Sequence, residues 1–143
     1  MPGLAEFAGF ASRLLLSPRL TFVHHQVSIT KERLFDEEFT RLWENVHDHY
    51  AIAVVRDAQY LNWRYVHNPV REYRIFAARE QGRLRGFVVL GSVLRAVRGI
   101  PTGNIAECLI APDSLLAAEA LLHHAVEVFV RESPYCQHLV HGP

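Results

Sequence analysis

The sequence has few cysteines, no net charge and no long hydrophobic run, and each of these shortages argues against a class of protein. Its two cysteines, Cys108 and Cys136, form no CxxC motif, so neither a disulfide framework nor a cysteine-based zinc site is expected. The 15 basic and 15 acidic residues cancel, which leaves no overall field to attract DNA, RNA or an anionic membrane surface. No apolar run approaches the roughly 20 residues that span a bilayer, so no membrane span is expected.

The remaining composition is that of one soluble domain, with 143 residues of which 50% are hydrophobic. The start of the chain, Met1–Glu6, lacks the basic residues of a secretory signal, and Pro18 follows a short apolar helix predicted over 5–16. We therefore expect a cytoplasmic protein. It would consist of an N-terminal helix and extension over residues 1–26 and a single domain over residues 27–143.

Hydrophobic spacing predicts the elements of the first half of this domain. An imperfect alternation of apolar and polar residues predicts a strand over 20–29. Apolar residues then recur at steps of three and four over 35–50, the pattern of an amphipathic helix, and Asp36 is placed to cap its first turn. A second, shorter helix is predicted after Asp57 and ends before Pro69.

The second half of the domain begins with a predicted hairpin. Strands at 73–79 and 84–90 flank the polar turn 80–83, whose Gly82 can adopt the positive φ that a tight turn often needs. The remaining predicted features are a turn marked by Gly99, Pro101 and Gly103, a strand at 105–111, a helix at 114–132 capped by Asp113, and a last strand at 135–140.

This order of elements predicts an α/β protein of the α+β type. A strand, a helical segment and another strand imply a right-handed crossover with at least one parallel pair of strands, whereas the hairpin is antiparallel. We therefore expect a mixed central sheet with helices on both faces.

Nine histidines raise the question of a metal site, but their spacing does not suit one. His47 and His49 are two apart and His123 and His124 are adjacent, whereas two ligands on one helix need a separation of three or four. The sequence also lacks the HExxH, GxxxxGK[ST], GxGxxG and GxSxG motifs. We therefore expect no metal, no ATP or dinucleotide, and no serine-hydrolase chemistry.

One candidate site is the stretch 56–65, which is dense in aromatic residues and arginines. Its structural interpretation is a short helix packed on the sheet by its aromatic residues, with Arg56 and Arg64 paired to nearby acids. Its functional interpretation is a wall of a substrate site, in which Trp63 and Tyr65 offer flat contact area and Arg64 binds an anionic group.

A second candidate site is the strand and helix start around Glu107. If Glu107 faces a cleft, partial removal from water would make it a candidate general base toward an amine; otherwise it is an exposed strand residue. The helix that begins at Ser114 has free amides at its positive end, which suit a phosphate group, although a simple capped helix would look the same.

The order of elements and several short motifs together resemble the GNAT superfamily of N-acetyltransferases, and more narrowly its divergent members found with bacterial polysaccharide biosynthesis. The resemblance covers about 27–140. The residues that carry it are Arg56-Asp57-x-x-Tyr60-Leu61-Asn62-Trp63-Arg64-Tyr65, Pro69, Tyr73, Gly82-x-Leu84-x-Gly86-Phe87 and Ile105-x-Glu107.

The resemblance implies an acyl-CoA-dependent N-acyltransferase, with acetyl-CoA or another acyl-CoA as co-substrate and a small-molecule amine as acceptor. Glu107, directly or through water, would remove a proton as the amine attacks the thioester. The substrate side would be formed by Trp63, Arg64 and Tyr65. The resemblance further implies pantetheine contacts from Leu109, Ile110 and Ala111, and pyrophosphate contacts from the amides of Ser114, Leu115 and Leu116.

The resemblance also makes the length of the chain informative. Members of the superfamily continue with a further helix and two strands, whereas this sequence ends at Pro143, so we expect the domain to be incomplete at its C-terminus. Two hypotheses follow. The protein is an acyltransferase or a truncated relative of one, or it is a catalytically silent module that forms a homodimer through an exposed sheet edge.

Overall fold

The computed structural model describes residues 26–95 and 101–132, without the side chains of 92–95 and 101. The predicted N-terminal helix, the first residues of the predicted first strand, and the predicted last strand at 135–140 lie outside this part. The elements are β1 (Val27–Glu32), α1 (Glu37–Val46), a 3₁₀ turn (His47–His49), α2 (Ala58–Leu61) with a π-helical turn (Asn62–Val66), β2 (Tyr73–Glu80), β3 (Arg83–Arg95), β4 (Pro101–Ile110) and α3 (Leu115–Glu132).

The four described strands form one sheet in the order β1-β2-β3-β4, and every neighbouring pair is antiparallel. The α+β fold predicted from the sequence is confirmed. The expected parallel pair does not occur among these four strands: Glu32 at the end of β1 lies opposite Ile75 near the start of β2. The connection between these strands therefore starts and finishes at the same end of the sheet.

Asn62 explains why the chain returns to that end. Its Oδ1 accepts a hydrogen bond from the Phe35 amide at 2.9 Å, and its Nδ2 donates to the Phe35 carbonyl at 2.8 Å. These two bonds hold the end of α2 beside the residue that precedes α1. Since α1 leads away from this end and the following segment leads back, β2 enters the sheet antiparallel to β1.

Two of the three predicted helix caps are confirmed. Asp36 accepts from the Glu38 amide at 2.9 Å, and Asp57 accepts from the Tyr60 amide at 2.8 Å. The prediction for α3 is wrong, because Ser114 caps it instead.

The Ser114 hydroxyl accepts from the Ala117 amide at 3.3 Å. Asp113 turns to Arg85, whose Nη2 lies 2.5 Å from the carboxylate Oδ1. The hydrogen bond from this guanidinium lowers the pKa of Asp113.

The hairpin is confirmed, with a tighter turn than predicted. Gln81 and Gly82 alone connect the two strands, with φ of 50° and 78°. Two positive φ values match the right-handed twist of a two-residue hairpin, and glycine adopts them at no steric cost. The second predicted turn needs a correction, because Pro101 is the first residue of β4 and Gly103 lies inside it, whereas Gly99 lies outside the described residues.

Helices cover both faces of the sheet, as the sequence predicts. On the first face, α1 and α2 pack against the sheet around the aromatic group Phe35, Phe39 and Phe87, whose ring centroids are 4.9 to 5.5 Å apart. On the second face, α3 packs Leu121 and three alanines against alternate residues of the same strands. No helix within 26–95 and 101–132 is long and apolar enough to cross a membrane.

Candidate functional site

Glu107 lies on β4, on the face of the sheet that α1 and α2 cover. It is opposite Val89 and two residues from Leu109, and both of these belong to the core of that face. Its side chain is only 13% exposed. Both carboxylate oxygens are bound: Oε1 is 3.0 Å from Arg56 Nε, and Oε2 accepts from the Tyr65 hydroxyl at 3.3 Å.

Arg56 is the cation that compensates the enclosed charge of Glu107. It lies on the extended segment between the 3₁₀ turn and α2, and its Nη1 donates to the Val54 carbonyl at 3.2 Å. Its guanidinium carbon lies 5.7 Å from the centre of the Trp43 ring. The flat guanidinium is therefore held by a carboxylate, a carbonyl and an aromatic face, which restricts its motion. Sequence reasoning paired Arg56 with an unspecified acid, and the structure identifies that acid as Glu107.

Tyr65 connects α2 to the same carboxylate. Its ring is buried and lies edge-on to Tyr73 at a centroid distance of 5.1 Å. Its hydroxyl is 3.3 Å from both Glu107 Oε2 and the Ala106 carbonyl oxygen. Burial raises the pKa of Tyr65, so the hydroxyl keeps its proton and acts as a donor to Glu107.

The other two residues predicted on the substrate side lie farther from Glu107. Arg64 is exposed, with its guanidinium carbon 5.7 Å from the centre of the Tyr65 ring, and hydrogen bonding to Tyr65 raises its pKa. Trp63 is 65% exposed and contacts Tyr60 at 5.9 Å between ring centroids. Of the three predicted residues, Tyr65 contacts Glu107 directly, Arg64 reaches it through Tyr65, and Trp63 faces solvent.

The three residues expected along the pantetheine do not all direct their backbone N–H and C=O groups to the same edge of β4. The Ala111 amide donates to the Arg85 carbonyl at 2.8 Å, and Leu109 lies opposite Phe87 in the same ladder. Because alternate residues of an antiparallel ladder direct their peptide groups to the same neighbour, those of Leu109 and Ala111 face β3. The peptide groups of Ile110 face the other edge of β4.

The start of α3, where a pyrophosphate is expected, already faces two carboxylates. The Ser114 amide donates to the Ala111 carbonyl at 3.0 Å, and the Ser114 hydroxyl donates to Glu80. Arg85 lies between Glu80, at 3.6 Å, and Asp113. The amides of Leu115 and Leu116 belong to the first helical turn, which has no acceptor of its own within the helix. A pyrophosphate here would share the helix end with two acids; Arg85 already pairs with both of them, and Arg83 lines the same cavity beside Leu116.

In the part of the chain that the structure describes, no three His, Cys, Asp or Glu side chains are placed to hold a metal ion. The charged group around Glu107 consists instead of one carboxylate, one arginine and one tyrosine hydroxyl. Such a group can hold an ionised carboxylate in a fixed orientation and present it to a proton donor.

No protein-family model and no curated protein matches the sequence. Among solved structures, the chain is similar to the crystal structure of an aminoglycoside acetyltransferase from an uncultured soil metagenomic sample in complex with sisomicin. The two share 13% sequence identity with a TM-score of 0.51, over 78% of this chain and 74% of that one. At this identity the similarity concerns the fold: the α+β arrangement resembles that of an acetyltransferase structure.

Proposed function

We propose that the protein is an acyl-CoA-dependent N-acyltransferase in which Glu107 acts as general base. The observation that carries the proposal is the enclosed Glu107 carboxylate, whose two oxygens are oriented by Arg56 and Tyr65 on the central sheet of an acetyltransferase-like fold. Membership of the GNAT superfamily and of its polysaccharide-associated subgroup, a domain over 27–143 and a cytoplasmic location are part of the same proposal.

Acyl-CoA supplies an activated acyl thioester. The acceptor amine attacks the thioester carbonyl, a C–N bond forms, the C–S bond breaks, and CoA leaves as a thiolate, which afterwards takes up the proton that Glu107 has accepted. Glu107 accepts the proton that the amine nitrogen loses, directly or through one water molecule. Arg56 pairs with one oxygen of Glu107 at 3.0 Å, and the Tyr65 hydroxyl binds the other, so together they fix the orientation of the carboxylate.

The acyl-CoA would bind along β4 and the start of α3. We assign the pantetheine to Leu109, Ile110 and Ala111, with Ile110 supplying the peptide groups that point away from β3. We assign the pyrophosphate to the first turn of α3, where the amides of Leu115 and Leu116 are the available donors beside Ser114.

The acceptor would approach Glu107 from the side of Tyr65. Tyr65 supplies a buried ring and a hydroxyl beside the carboxylate, and Arg64 and Trp63 lie outside it. Arg64 and Trp63 are exposed to solvent, so an amine can bind against them.

The test has a binding part and a kinetic part. Calorimetry should detect acetyl-CoA binding to the wild-type protein, and release of free thiol should accompany incubation with a panel of primary amines. Glu107→Gln should lower kcat by about 10²- to 10⁴-fold, the usual contribution of a general base, with little change in acetyl-CoA affinity. Glu44→Gln removes an exposed acid of α1 and is the matched control. Absence of acetyl-CoA binding at millimolar concentration to folded protein would contradict the proposal.

A second candidate function is a catalytically silent module that forms a homodimer. The observation that favours it is the pair of acids, Glu80 and Asp113, beside the start of α3, because a phosphate group would be repelled there. Within the described residues β4 pairs with β3 alone, and a free strand edge can pair with a second copy. A dimeric mass by light scattering, together with no binding of acetyl-CoA, would favour this function over the first.

A further inference from the structure

A second feature of the molecule is an open cleft at the end of the sheet where β1 finishes and β2 begins. Its volume is about 600 Å³, within the range of about 300–1,000 Å³ that is common for small-molecule sites. Tyr65 and Tyr73 contribute aromatic surface to it, and the residues around them are mostly charged. We call it the β1–β2 cleft.

The acids and bases that line the β1–β2 cleft are not equally available to a ligand. Glu32 is bound to Arg79, which lies outside the cleft, at 2.7 Å. Burial is the largest influence on the pKa of Glu32 and would raise it, but hydrogen bonds from Arg79 and Thr30 together with the charge of Arg79 outweigh it and lower the pKa. Glu132 at the end of α3 is paired with Arg74 of β2. These two acids are therefore already compensated.

The charges that remain are predominantly positive. Lys31, Arg33 and Arg71 line the cleft, are exposed, and make no ion pair within the described residues 26–95 and 101–132. Glu72 is the lining carboxylate that likewise has no ion pair there. Three unpaired cations against one unpaired carboxylate favour an anionic ligand and disfavour a polycationic one.

The backbone that carries one of these cations is fixed. Asn68 Oδ1 accepts from the amides of Val70 and Arg71, at 2.9 and 3.0 Å, and Asn68 Nδ2 donates to the Arg64 carbonyl at 3.2 Å. This turn joins the cation-bearing loop to the end of α2. The position of the Arg71 backbone is therefore set by the same element that carries Tyr65.

Tyr65 connects the β1–β2 cleft to Glu107. Its side chain lines the cleft, and its hydroxyl contacts Glu107 Oε2 at 3.3 Å. Glu107 itself does not line the cleft, so the amine of a molecule that lies against Tyr65 and Tyr73 must pass Tyr65 to reach the carboxylate. A cationic rim beside two aromatic rings suits a ring compound that carries an acidic group.

We propose that the β1–β2 cleft binds the acyl acceptor and that this acceptor is an amine carrying a phosphate or carboxylate group, which Lys31, Arg33 and Arg71 recognise. The inference rests on the proposed acyltransferase function and specifies its substrate class. The class is different from that of the aminoglycoside, a compound with several amino groups, that is bound in the similar acetyltransferase structure.

Matched pairs of amines test the charge preference. Glucosamine 6-phosphate is compared with glucosamine, and tyrosine with tyramine, so that the first pair differs by a phosphate and the second by a carboxylate. Binding is measured by NMR titration of the wild-type protein without acyl-CoA, and acetyl transfer is measured in parallel. The anionic member of at least one pair should bind at least about fivefold more tightly at low ionic strength, and the preference should shrink with added salt, because surface charge pairs are screened.

Variants that remove single charges identify which residues recognise the anionic group of the amine. Arg71→Gln should reduce the preference for the anionic amine by about threefold, and the triple variant Lys31→Gln, Arg33→Gln, Arg71→Gln should remove most of it, because each exposed charge pair contributes modestly. Arg41→Gln, at an exposed position of α1, is the matched control. Circular dichroism of each variant verifies folding.

Three outcomes separate the inference from the function on which it rests. Acetyl transfer to neutral or polycationic amines, with no preference in either pair, would overturn the inference and leave the proposed function standing. Preferential binding of the anionic amine that the triple variant abolishes would support the cleft even if acetyl transfer is not observed. A preference that persists in the triple variant would place anion recognition elsewhere and overturn the assignment of these residues.

Discussion

Glu107 and its two partners come from two distant parts of the chain. Arg56 is 51 residues before Glu107, and Tyr65 is 42 residues before it. The contacts are mutually dependent, because Arg56 compensates the charge of the carboxylate and the protonated hydroxyl of Tyr65 occupies its second oxygen. An enclosed carboxylate is costly unless it is paired and hydrogen-bonded, and Arg56 and Tyr65 meet both requirements.

Because Tyr65 is buried, the stability of the protein should decrease at alkaline pH. Its pKa is raised in the folded state, from an ordinary value of 10.0. Its contribution is therefore fully present below pH 10 and is lost as pH rises through the folded-state pKa, since the unfolded chain loses the proton first. Urea unfolding of wild type and Tyr65→Phe between pH 8 and 11 should show the wild type losing stability more steeply above pH 10.

The matched control for this measurement is Tyr50→Phe, which removes an exposed hydroxyl. Its profile should stay parallel to that of the wild type. Parallel profiles for wild type and Tyr65→Phe would contradict the prediction.

At the scale of elements, the Asn62 side chain determines how the helical segment between β1 and β2 folds back. Asn62→Ala removes both hydrogen bonds to Phe35 and leaves a partly buried amide and carbonyl without those partners. The free energy of unfolding should fall by about 2 kcal/mol. Asn45→Ala, at an exposed position in α1, should change it by less than about 0.5 kcal/mol. Equal effects of the two variants in guanidinium unfolding would show that the Asn62 bonds contribute nothing.

The packing of α3 on β4 depends on a glycine. A Cβ atom at Gly103 would lie 2.5 to 2.7 Å from ring carbons of Phe129, closer than any normal contact. Gly103→Ala should therefore reduce the free energy of unfolding by about 1–3 kcal/mol, the usual cost of overpacking. In a Phe129→Ala background the same substitution should cost much less, and a double-mutant cycle measures the difference. A cost that is unchanged in that background would contradict this explanation.

The sequence predicted the features that depend on neighbouring residues. Asp36 and Asp57 cap helices through amides two and three residues away, and Gly82 permits a hairpin turn between adjacent strands. The features it missed depend on distant residues. The antiparallel pairing of β1 and β2 follows from a contact between Phe35 and Asn62, which are 27 residues apart.

The candidate site follows the same rule. Glu107 and Tyr65 stood out as residue types suited to catalysis, but no local pattern shows that they touch. The same applies to the choice of Ser114 over Asp113 as the cap of α3, because Arg85, 28 residues before Asp113, draws that carboxylate away. A sequence signal for the missed partners would be correlated variation of such pairs among homologues.

At the scale of the whole molecule, the two cores share one sheet. Alternate residues of β2 and β3 face α1 and α2 on one side and α3 on the other, so neither layer of helices has a sheet of its own to pack against. Loss of packing on one face therefore weakens the strands on which the other face depends. The described domain should unfold as a single cooperative unit.

Leu121 and Trp43 provide a test of this cooperativity from opposite faces. Leu121 is fully buried under α3, whereas Trp43 is buried on the α1 face. In a Trp63→Phe background, Trp43 is the only tryptophan, so its fluorescence reports the α1 face alone. Leu121→Ala should lower the stability reported by Trp43 by about 3 kcal/mol, the usual cost of a large cavity, although the two side chains share no cluster.

The neighbouring residue supplies the control, because Leu122 is 48% exposed and Leu122→Ala removes the same atoms from a solvent-facing position. That variant should change the Trp43 transition by no more than about 0.5 kcal/mol. Far-UV circular dichroism should follow the fluorescence transition in both variants. If Leu121→Ala shifts the circular dichroism transition and leaves that of Trp43 in place, the two faces unfold independently, and Glu107 on the α1 face is supported without help from α3.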